Sequence, residues 1–346
     1  MNSTFPDSIS TEDELDDVLT HPSPELCEII SRVTSPLVVL GAGGKMGPSL
    51  AVLAKRAAEQ AGHKLKIIAV SRFSDESQRT WLETRGVQTH VANLLKRVEV
   101  EQLPDASHVI YLVGMKFGTS QRPDLTWAAN TLVPSYVLER YPTSRIAAVS
   151  TGNVYPLVPV ASGGSREDDP LTPLGEYANA AVARERMFDY FSRERGTPVC
   201  LLRLSYALDL RYGVIPDLAG KVWSEEPIPL ETGHFNCLWQ GEANERIVRA
   251  LELCESPASA YNLTSSQILS VRETALRLGE LLGKSPNLTG EETGTAFISN
   301  TEKLDRLWEK PRVNPETLIR WSAHWVRSGG RSLNKPTHFE TRDGVY

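Results

Sequence analysis

A glycine-rich segment near the start of the chain has the residue types and spacing of a phosphate-binding turn. Residues 38–40 (Val-Val-Leu) lead directly into Gly41-Ala-Gly-Gly-Lys-Met-Gly47, and a helical pattern begins near Pro48. In a strand, turn and helix of this kind, the first glycine permits the tight turn, the next lets backbone N–H groups approach a pyrophosphate, and the last lets helix and strand pack closely. The helix N-terminus then faces the anion. We therefore expect this glycine turn (residues 41–47) to bind a nicotinamide dinucleotide, NAD(H) or NADP(H).

The same residues exclude a P-loop for a nucleoside triphosphate. Only two residues separate Gly41 from Gly44, and Met46, rather than Ser or Thr, follows Lys45. A P-loop needs a longer spacing between its glycines and a hydroxyl that binds Mg²⁺. The segment thus predicts a dinucleotide site rather than an ATP or GTP site.

The end of the second apolar segment bears on which dinucleotide is bound. An acidic residue there binds the adenine ribose of NAD, whereas an arginine accommodates the 2′-phosphate of NADP. The segment ends Ala69-Val70-Ser71-Arg72, and Arg72 would attract the phosphate, with Lys45 on the facing turn as a second cation. We expect NADP, with NAD as the alternative. The cofactor residues predicted on the turn and this strand are Gly41, Gly43, Gly44, Lys45, Met46, Gly47, Ser71 and Arg72.

Short apolar segments alternate with amphipathic ones up to about residue 204, and these are the elements that must position the turn. This alternation is typical of βαβ units and a parallel sheet. It predicts an α/β, doubly wound (Rossmann) domain. The predicted strands are 37–40, 65–70, 87–91, 108–113, 145–150 and 199–204, and the predicted helices are 49–60, 125–139 and 177–193.

Outside this domain the patterns are weaker. A leader (1–35) contains two short helices, one opened by Thr11 and Glu14 and the other by Ser23 and Pro24. After residue 205 a smaller lobe would fold over the carboxyl edge of the sheet and cap the substrate. The sequence predicts four parts: a leader (1–35), a dinucleotide domain (36–205 with about 236–256), a substrate lobe (about 206–235 with 257–328) and a polar tail (329–346). Within the substrate lobe, we predict a strand at 260–263 and a helix at 271–282.

Composition narrows the function classes. Of 346 residues, 40% are hydrophobic and 23% charged, which is typical of a globular protein. The net charge is −6, and the sequence has no basic cluster of the kind that binds nucleic acid. No segment approaches the roughly 20 apolar residues of a membrane span, and the acidic N-terminus is unlike a signal peptide, so we expect a cytoplasmic location. The seven histidines and four cysteines have no metal-binding or CxxC spacing, and we expect no metal site.

Further motifs carry a family resemblance over residues 36–328. Gly41, Gly44 and Gly47 are spaced GxxGxxG, and the other matches are Asn93-Leu94, Asn130, Ser150-Thr151-Gly-Asn-Val-Tyr155, Arg203 and Tyr261-Asn262-Leu263. With these the chain resembles the extended short-chain dehydrogenase/reductases, the NAD-dependent epimerase/dehydratase family. The resemblance implies that Asn93 and Leu94 lie beside the adenine and that Thr151 hydrogen-bonds the substrate oxygen. It also implies that Tyr177, 26 residues after Thr151, exchanges the proton.

The catalytic lysine of the resemblance is missing. A free tyrosine has a pKa near 10 and needs a nearby cation to act as a base at neutral pH, which the family's lysine supplies four residues after the tyrosine. This chain has Ala181 there. Three hypotheses follow. The protein binds cofactor with little or no catalysis; or another cation, Lys116 after the fourth strand, replaces the lysine; or Tyr177 acts as an acid in ketone reduction and needs less help.

The leading functional hypothesis is an NAD(P)-dependent oxidoreductase or epimerase acting on a sugar, sugar acid or related polyhydroxylated carbonyl compound. The alternative is a catalytically inactive NAD(P)-binding sensor or structural protein, for which Ala181 is the main evidence. Thr151-Gly-Asn153 lacks the acidic pair of the family's sugar dehydratases, which disfavours dehydration. The resemblance also implies a homodimer through helices 125–139 and 177–193. In the lobe, the candidates to line the substrate crevice are Arg211, Trp223, His234 and Trp239.

Overall fold

The computed structural model describes residues 5–115, 121–335 and 337–345. The helices are α1 (Glu12–Leu19), α2 (Pro24–Ile30), α3 (Gly47–Gln60), α4 (Glu76–Glu83), α5 (Arg97–Glu101), α6 (Pro123–Arg140), α7 (Gly175–Arg195), α8 (Val214–Trp223), α9 (Gln240–Arg249), α10 (Val271–Leu282), α11 (Glu302–Asp305) and α12 (Pro315–Arg327). The strands are β1 (Leu37–Leu40), β2 (Ile67–Ser71), β3 (Gln88–Val91), β4 (His108–Tyr111), β5 (Arg145–Thr151), β6 (Val158–Pro159), β7 (Val199–Leu204), β8 (Ala207–Leu208), β9 (Pro227–Pro229), β10 (His234–Phe235), β11 (Leu238–Trp239), β12 (Ser259–Leu263), β13 (Leu269–Ser270), β14 (Asn287–Thr289) and β15 (Thr295–Ala296).

One parallel sheet of seven strands organises the molecule, in the order β12-β7-β5-β4-β1-β2-β3. β1 pairs with β2 on one side and β4 on the other, so Val38 lies opposite both Ile68 and Val109. The strand order reverses between β1 and β4, and in open α/β sheets such a reversal creates a crevice at the carboxyl ends of the strands. The predicted Rossmann fold is confirmed, and the glycine turn leaves β1 at this crevice.

Helices cover both faces of the sheet, which explains the continuous apolar runs of its strands. Leu37 and Val39 of β1 pack in one core with α2, α3 and α9. Val38 and Leu40 pack in another core with α6 and α7. Since successive side chains of a strand point to opposite faces, a strand buried on both sides needs every residue to be apolar.

Residues 260–263 lie elsewhere than the sequence analysis placed them. They belong to β12, which pairs in parallel with β7 and forms an edge of the main sheet rather than part of the smaller lobe. A short isolated strand does not encode its own partner, and this one returns to the sheet after α9. The six strands predicted earlier in the chain are all present, with ends that differ by at most two residues.

The leader contains the two predicted helices. Thr11 and Glu14 form a capping box at the start of α1, and Ser23 caps α2. Leu15 of α1 packs into the core of the smaller lobe, whereas Leu26 of α2 packs into a core of the sheet. The leader therefore joins the two parts of the fold.

The C-terminal segment (residues 337–345) has no helix or strand, as its weak periodicity predicts, but it is firmly packed. Phe339 is fully buried in the lobe core, among side chains of α8, α10 and α12. Thr337 donates a hydrogen bond to the Asp217 carboxylate on α8. The division of the chain into leader, dinucleotide domain, lobe and tail at the residue numbers given above remains a prediction.

Within the described ranges, no helix is both long and apolar enough to cross a membrane. The same ranges bring no three His, Cys, Asp or Glu side chains together as ligands for a metal ion. The four cysteines are free thiols, and burial raises the pKa of Cys237 to about 12. That thiol therefore stays protonated and unreactive at neutral pH.

Candidate active site

Backbone hydrogen bonds hold the glycine turn against the end of β2. The N–H groups of Gly41 and Ala42 both donate to the Val70 carbonyl (2.9 and 3.1 Å), and the Gly44 N–H donates to the Gly41 carbonyl (3.0 Å). Gly41 has a φ of +80°, a conformation that favours glycine. An added Cβ at Gly47 would lie 2.5 Å from the Cα of Ala42. The turn therefore requires glycine both where it begins and where the helix meets it.

The helix after the turn begins without a side-chain cap. Met46 occupies the N-cap position and makes no capping hydrogen bond through its side chain, which carries no oxygen. The first amides of α3 thus lack the acceptor that Ser, Thr, Asp or Asn would provide, which suits them to bind an anion. At Gly43 an added Cβ would overlap the Oγ of Ser71, so the turn approaches β2 as closely as backbone allows. This glycine cradle and the uncapped helix fit the pyrophosphate of a dinucleotide.

A cavity of about 310 Å³, here called the cofactor groove, runs from the glycine turn across the ends of β2 and β3. Arg72 is exposed on its wall, and among the described residues it forms no salt bridge. The side chain of Asn93 accepts a hydrogen bond from the Leu95 N–H (3.2 Å), which fixes the loop after β3. The predicted residues that line this groove are Gly41, Gly43, Gly44, Ser71, Arg72, Asn93 and Leu94.

The other three predicted cofactor residues do not line the groove. The Lys45 ammonium donates to the Ala207 carbonyl (3.1 Å) and lies 3.6 Å from the centre of the Tyr212 ring. Its charge therefore faces the substrate lobe, which contradicts the expectation that it joins Arg72 at the adenine ribose. Met46 packs against a core of the sheet, and Gly47 contacts Ala42. A role for these three residues through their backbone amides stays a prediction.

A second cavity of about 240 Å³, the substrate cavity, lies at the carboxyl ends of β5 and β7. It shares the wall formed by Leu112, Val113 and Gly114 with the cofactor groove, so the two spaces meet just after β4. Thr151 and Tyr177 both line it, as the resemblance implies. Thr151 is the last residue of β5, and Tyr177 lies in the first turn of α7.

The geometry agrees with a comparison of the sequence with protein families. Residues 37–225 match the model of the NAD dependent epimerase/dehydratase family, which is more than half of the chain. The chain belongs to the NAD-dependent epimerase/dehydratase family. Membership in a family of NAD-dependent enzymes favours catalysis over a purely structural role.

Solved structures with a similar fold include enzymes that are named for nucleotide sugars. A UDP-glucose 4-epimerase from Thermotoga maritima is 17% identical, with a TM-score of 0.66 over 85% of this chain and 99% of that chain. A UDP-glucuronic acid 4-epimerase from Bacillus cereus, in complex with NAD, is 17% identical with a TM-score of 0.69 over 84% and 96%. A dTDP-glucose 4,6-dehydratase from Streptomyces venezuelae, with NAD bound, is 16% identical with a TM-score of 0.71 over 84% and 97%. No curated protein matches the sequence. At these identities the similarity establishes a shared fold.

In this member of the epimerase/dehydratase family, the position of the lysine is part of a core. Ala181 is fully buried and packs with Val154 and Tyr155. A lysine at this position would have its Cβ inside this apolar core. Lys116, the predicted replacement, lies outside the described residues.

A different cation, which the sequence analysis missed, lines the substrate cavity. Arg184 lies on α7 two turns after Tyr177 and is only 3% exposed. Its Nη1 donates to the Val113 carbonyl (3.1 Å) and to the Asn130 side-chain oxygen (2.8 Å). Burial raises the pKa of the neighbouring Tyr111, and the positive charge of Arg184 opposes this shift. The spacing of seven from Tyr177 is the signal that places both residues on one helix face.

The other tyrosine of the β5 motif is held in a buried polar network. Tyr155 donates to the Asn262 side-chain oxygen (2.8 Å) and accepts from Arg203 Nη1 (2.6 Å). Arg203 also forms a buried salt bridge with Glu185 (2.8 Å), which in turn accepts from Ser150. Burial raises the pKa of Tyr155 to about 12. Both hydrogen-bonding directions of this hydroxyl are used inside the protein, and Tyr177, not Tyr155, is the tyrosine of the two that lines the substrate cavity.

The four lobe residues proposed for the substrate crevice do not line the substrate cavity. Arg211 pairs with Asp209 (2.9 Å) and Asp16 (3.1 Å), while Trp239 packs against Trp321 in the lobe core. Trp223 lies on the surface of α8, and His234 pairs with Ser270 in a two-stranded sheet. The charge and aromatic character of these four residues did not indicate whether their side chains point toward the substrate cavity. The lobe instead contributes Tyr206, Tyr212 and Phe297, and the C-terminal segment contributes Thr337.

Proposed function

We propose that the chain is an NAD(P)-dependent oxidoreductase or epimerase acting on a sugar, a sugar acid or a related polyhydroxylated carbonyl compound. The observation that carries this proposal is the shared wall at Leu112, Val113 and Gly114. There the groove that begins on the glycine turn adjoins the cavity lined by Thr151 and Tyr177. A dinucleotide bound in the groove can thus present its nicotinamide to a substrate in the cavity.

The lining of the substrate cavity supports a substrate with many hydroxyl groups. Hydroxyls of Thr151, Ser205, Tyr212 and Thr337 and the amide of Asn153 border the space. Each is a hydrogen-bonding group, and a site that bonds substrate hydroxyls discriminates strongly against analogues that lack them. Sugars and sugar acids meet this requirement.

The chain's own residues would handle the proton while the cofactor, when bound, accepts or returns hydride at nicotinamide C4. Tyr177 Oη exchanges the proton of the reacting substrate oxygen. The Thr151 hydroxyl donates to the Asn153 side-chain oxygen (3.0 Å) and accepts from the Asn153 N–H (3.2 Å). To donate to a substrate oxygen it must turn away from that side-chain oxygen. Substrate binding therefore replaces one hydrogen bond of Thr151 with another.

For the cofactor, we propose NADP ahead of NAD. Two similar structures contain NAD, but Arg72 borders the groove of this chain where an acidic residue would favour NAD. A guanidinium can bind a 2′-phosphate through two hydrogen bonds. The cytoplasmic location stays a prediction.

The alternative function is an NAD(P)-binding protein without catalysis. Ala181 favours it, because this position packs with Val154 and Tyr155 and supplies no cation to Tyr177. Binding and catalysis are separable by experiment, since Tyr177 would matter only for catalysis.

A hydride-exchange assay with Tyr177→Phe tests the proposed function. Purified protein is titrated with NADH and NADPH and then assayed for hydride exchange with a panel of sugars and sugar acids. We expect Tyr177→Phe to lower the exchange rate by about 100-fold or more while cofactor affinity is unchanged, because general acid–base catalysis contributes at least this much. Tyr190→Phe, an exposed tyrosine on the same helix, is the matched control. Cofactor binding without exchange, unaffected by Tyr177→Phe, would establish the alternative.

A further inference from the structure

We propose that Arg184 supplies the cation missing at Ala181 and holds the nicotinamide half of the bound dinucleotide. The proposal rests on the proposed function, because it assumes a dinucleotide in the cofactor groove. It assigns a cofactor-binding role to a residue outside the motif of the family resemblance.

The charge of Arg184 is buried, and the described residues supply no counterion for it. Its side chain is 3% exposed, and in the described part of the chain no carboxylate pairs with it. The adjacent Glu185 instead pairs with Arg203. Burying an unpaired charge is costly in free energy, so structures retain one mainly where a ligand completes its surroundings.

The hydrogen bonds of Arg184 are also incomplete. A guanidinium has five N–H donors. The two on Nη1 are used, by the Val113 carbonyl and the Asn130 side chain, and they fix the position of the group. Nε is buried and meets no acceptor among the described residues, and no described acceptor bonds Nη2. Donors that remain unmet beside a cavity indicate an oxygen-bearing ligand.

The location of the guanidinium matches the nicotinamide half rather than the adenine half. An added Cβ on Gly114 would lie 2.7 Å from Arg184 Nη1. The guanidinium of Arg184 therefore contacts the wall that the cofactor groove and the substrate cavity share. A dinucleotide with its phosphates on the glycine turn must pass this wall to bring its nicotinamide to Tyr177. The ribose hydroxyls next to the nicotinamide are the acceptors that would reach Arg184 there.

The helix geometry explains why this residue can take over the function. Ala181 packs into its apolar core, and Arg184 follows one turn later on the side of α7 that contacts the end of β4. A long arginine from this position reaches the Val113 carbonyl. The cation is therefore supplied seven residues after Tyr177 instead of four.

Binding measurements with whole dinucleotides and their adenine fragments test the proposal. The probes are NADH with ADP, and NADPH with 2′-phospho-ADP, titrated into wild type, Arg184→Met and Arg184→Lys. We expect Arg184→Met to weaken dinucleotide binding by about tenfold or more, the size of a lost charge-assisted hydrogen bond. Fragment binding should be unchanged, and Arg184→Lys should lie between wild type and Arg184→Met. Arg186→Met, an exposed arginine on the same helix, should match wild type.

A second variant moves the guanidinium without removing its charge. Gly114→Ala places a methyl group against Nη1, and we expect the same selective loss of dinucleotide affinity. This variant decides the matter if Arg184→Met fails to fold, which loss of fragment binding would reveal. Unchanged dinucleotide affinity in a folded Arg184→Met, or in Gly114→Ala, overturns the proposal. If wild type binds neither dinucleotide nor fragment, the proposed function itself fails.

Discussion

Arg72 is the side chain on which the proposed preference for NADP rests. It follows β2 immediately, is exposed, and borders the groove beside Ser71. Lys45, the other cation considered at this point, is engaged with Ala207 and Tyr212 instead. We therefore propose that Arg72 alone, and not Lys45, discriminates between the two dinucleotides at the adenine ribose.

Replacing Arg72 should change the preference between NADPH and NADH. We expect Arg72→Ala to weaken NADPH binding by about tenfold or more and to leave NADH binding nearly unchanged, because only NADPH carries the 2′-phosphate. Fluorescence titration of both reduced cofactors measures the ratio. Lys66→Ala, which removes an exposed cation just before β2, is the control. An equal loss for both cofactors, or no loss, would contradict an assignment to NADP.

The motif residues lie together where the motif fixes the backbone position, while their roles stay predictions. Thr151 and Tyr177 were predicted from the resemblance, and both line one cavity, since the end of a strand and the start of a helix leave little freedom. The spacing in sequence puts Arg184, and not Arg186, on the helix face of Tyr177, but it does not show which face of the helix is buried. Their difference arises because α7 packs against β4 and α6, which buries the first and exposes the second.

Among the elements, local patterns were sufficient to predict the seven strands of the main sheet and the glycine turn, but not the eight short strands described outside that sheet. The apolar run of β1, the glycines and the helix after them are consecutive in sequence, so their signals reinforce each other. The sheet position of β12 was missed because it depends on pairing with β7, which lies far away in the chain. Pairing of distant segments is a property of the packed core and not of a local pattern.

The close contact between α3 and the turn gives a prediction about stability. Gly47→Ala adds a methyl group 2.5 Å from the Cα of Ala42, so α3 must shift away from the turn. We expect a loss of about 1–3 kcal/mol in the free energy of unfolding, measured by urea titration. Gly220→Ala in α8 adds the same group into open space and should be neutral or stabilising. Equal unfolding curves for wild type and Gly47→Ala would show that the contact is not rigid.

At the scale of the whole molecule, α6 is apolar on two sides. Val133 and Val137 face a core of the sheet, while Trp127 and Leu132 are 39% and 44% exposed. On the adjacent α7, Tyr190 is also exposed, at 57%. Exposed apolar side chains on two adjacent helices can pack against a partner. We propose that a second copy of the chain packs against this face of α6 and α7, as the family resemblance implies.

A charge placed in this face should prevent dimer formation. We expect wild type to be a dimer by light scattering after gel filtration and Leu132→Glu to be a monomer, since burying an unpaired carboxylate is costly. Leu276→Glu changes a leucine of similar exposure on α10 and should leave the dimer intact. A wild-type monomer, or a dimer that tolerates Leu132→Glu and not Leu276→Glu, would exclude this face as the interface.

The central claim is that the glycine turn and the Tyr177 cavity form one site that a single dinucleotide bridges. A crystal structure of the protein saturated with NADPH tests it most directly. We expect the pyrophosphate to bind the amides of the glycine turn and the nicotinamide to lie at the Val113–Gly114 wall, facing Thr151 and Tyr177. A dinucleotide bound elsewhere, or both cavities free of it at saturation, would contradict the account.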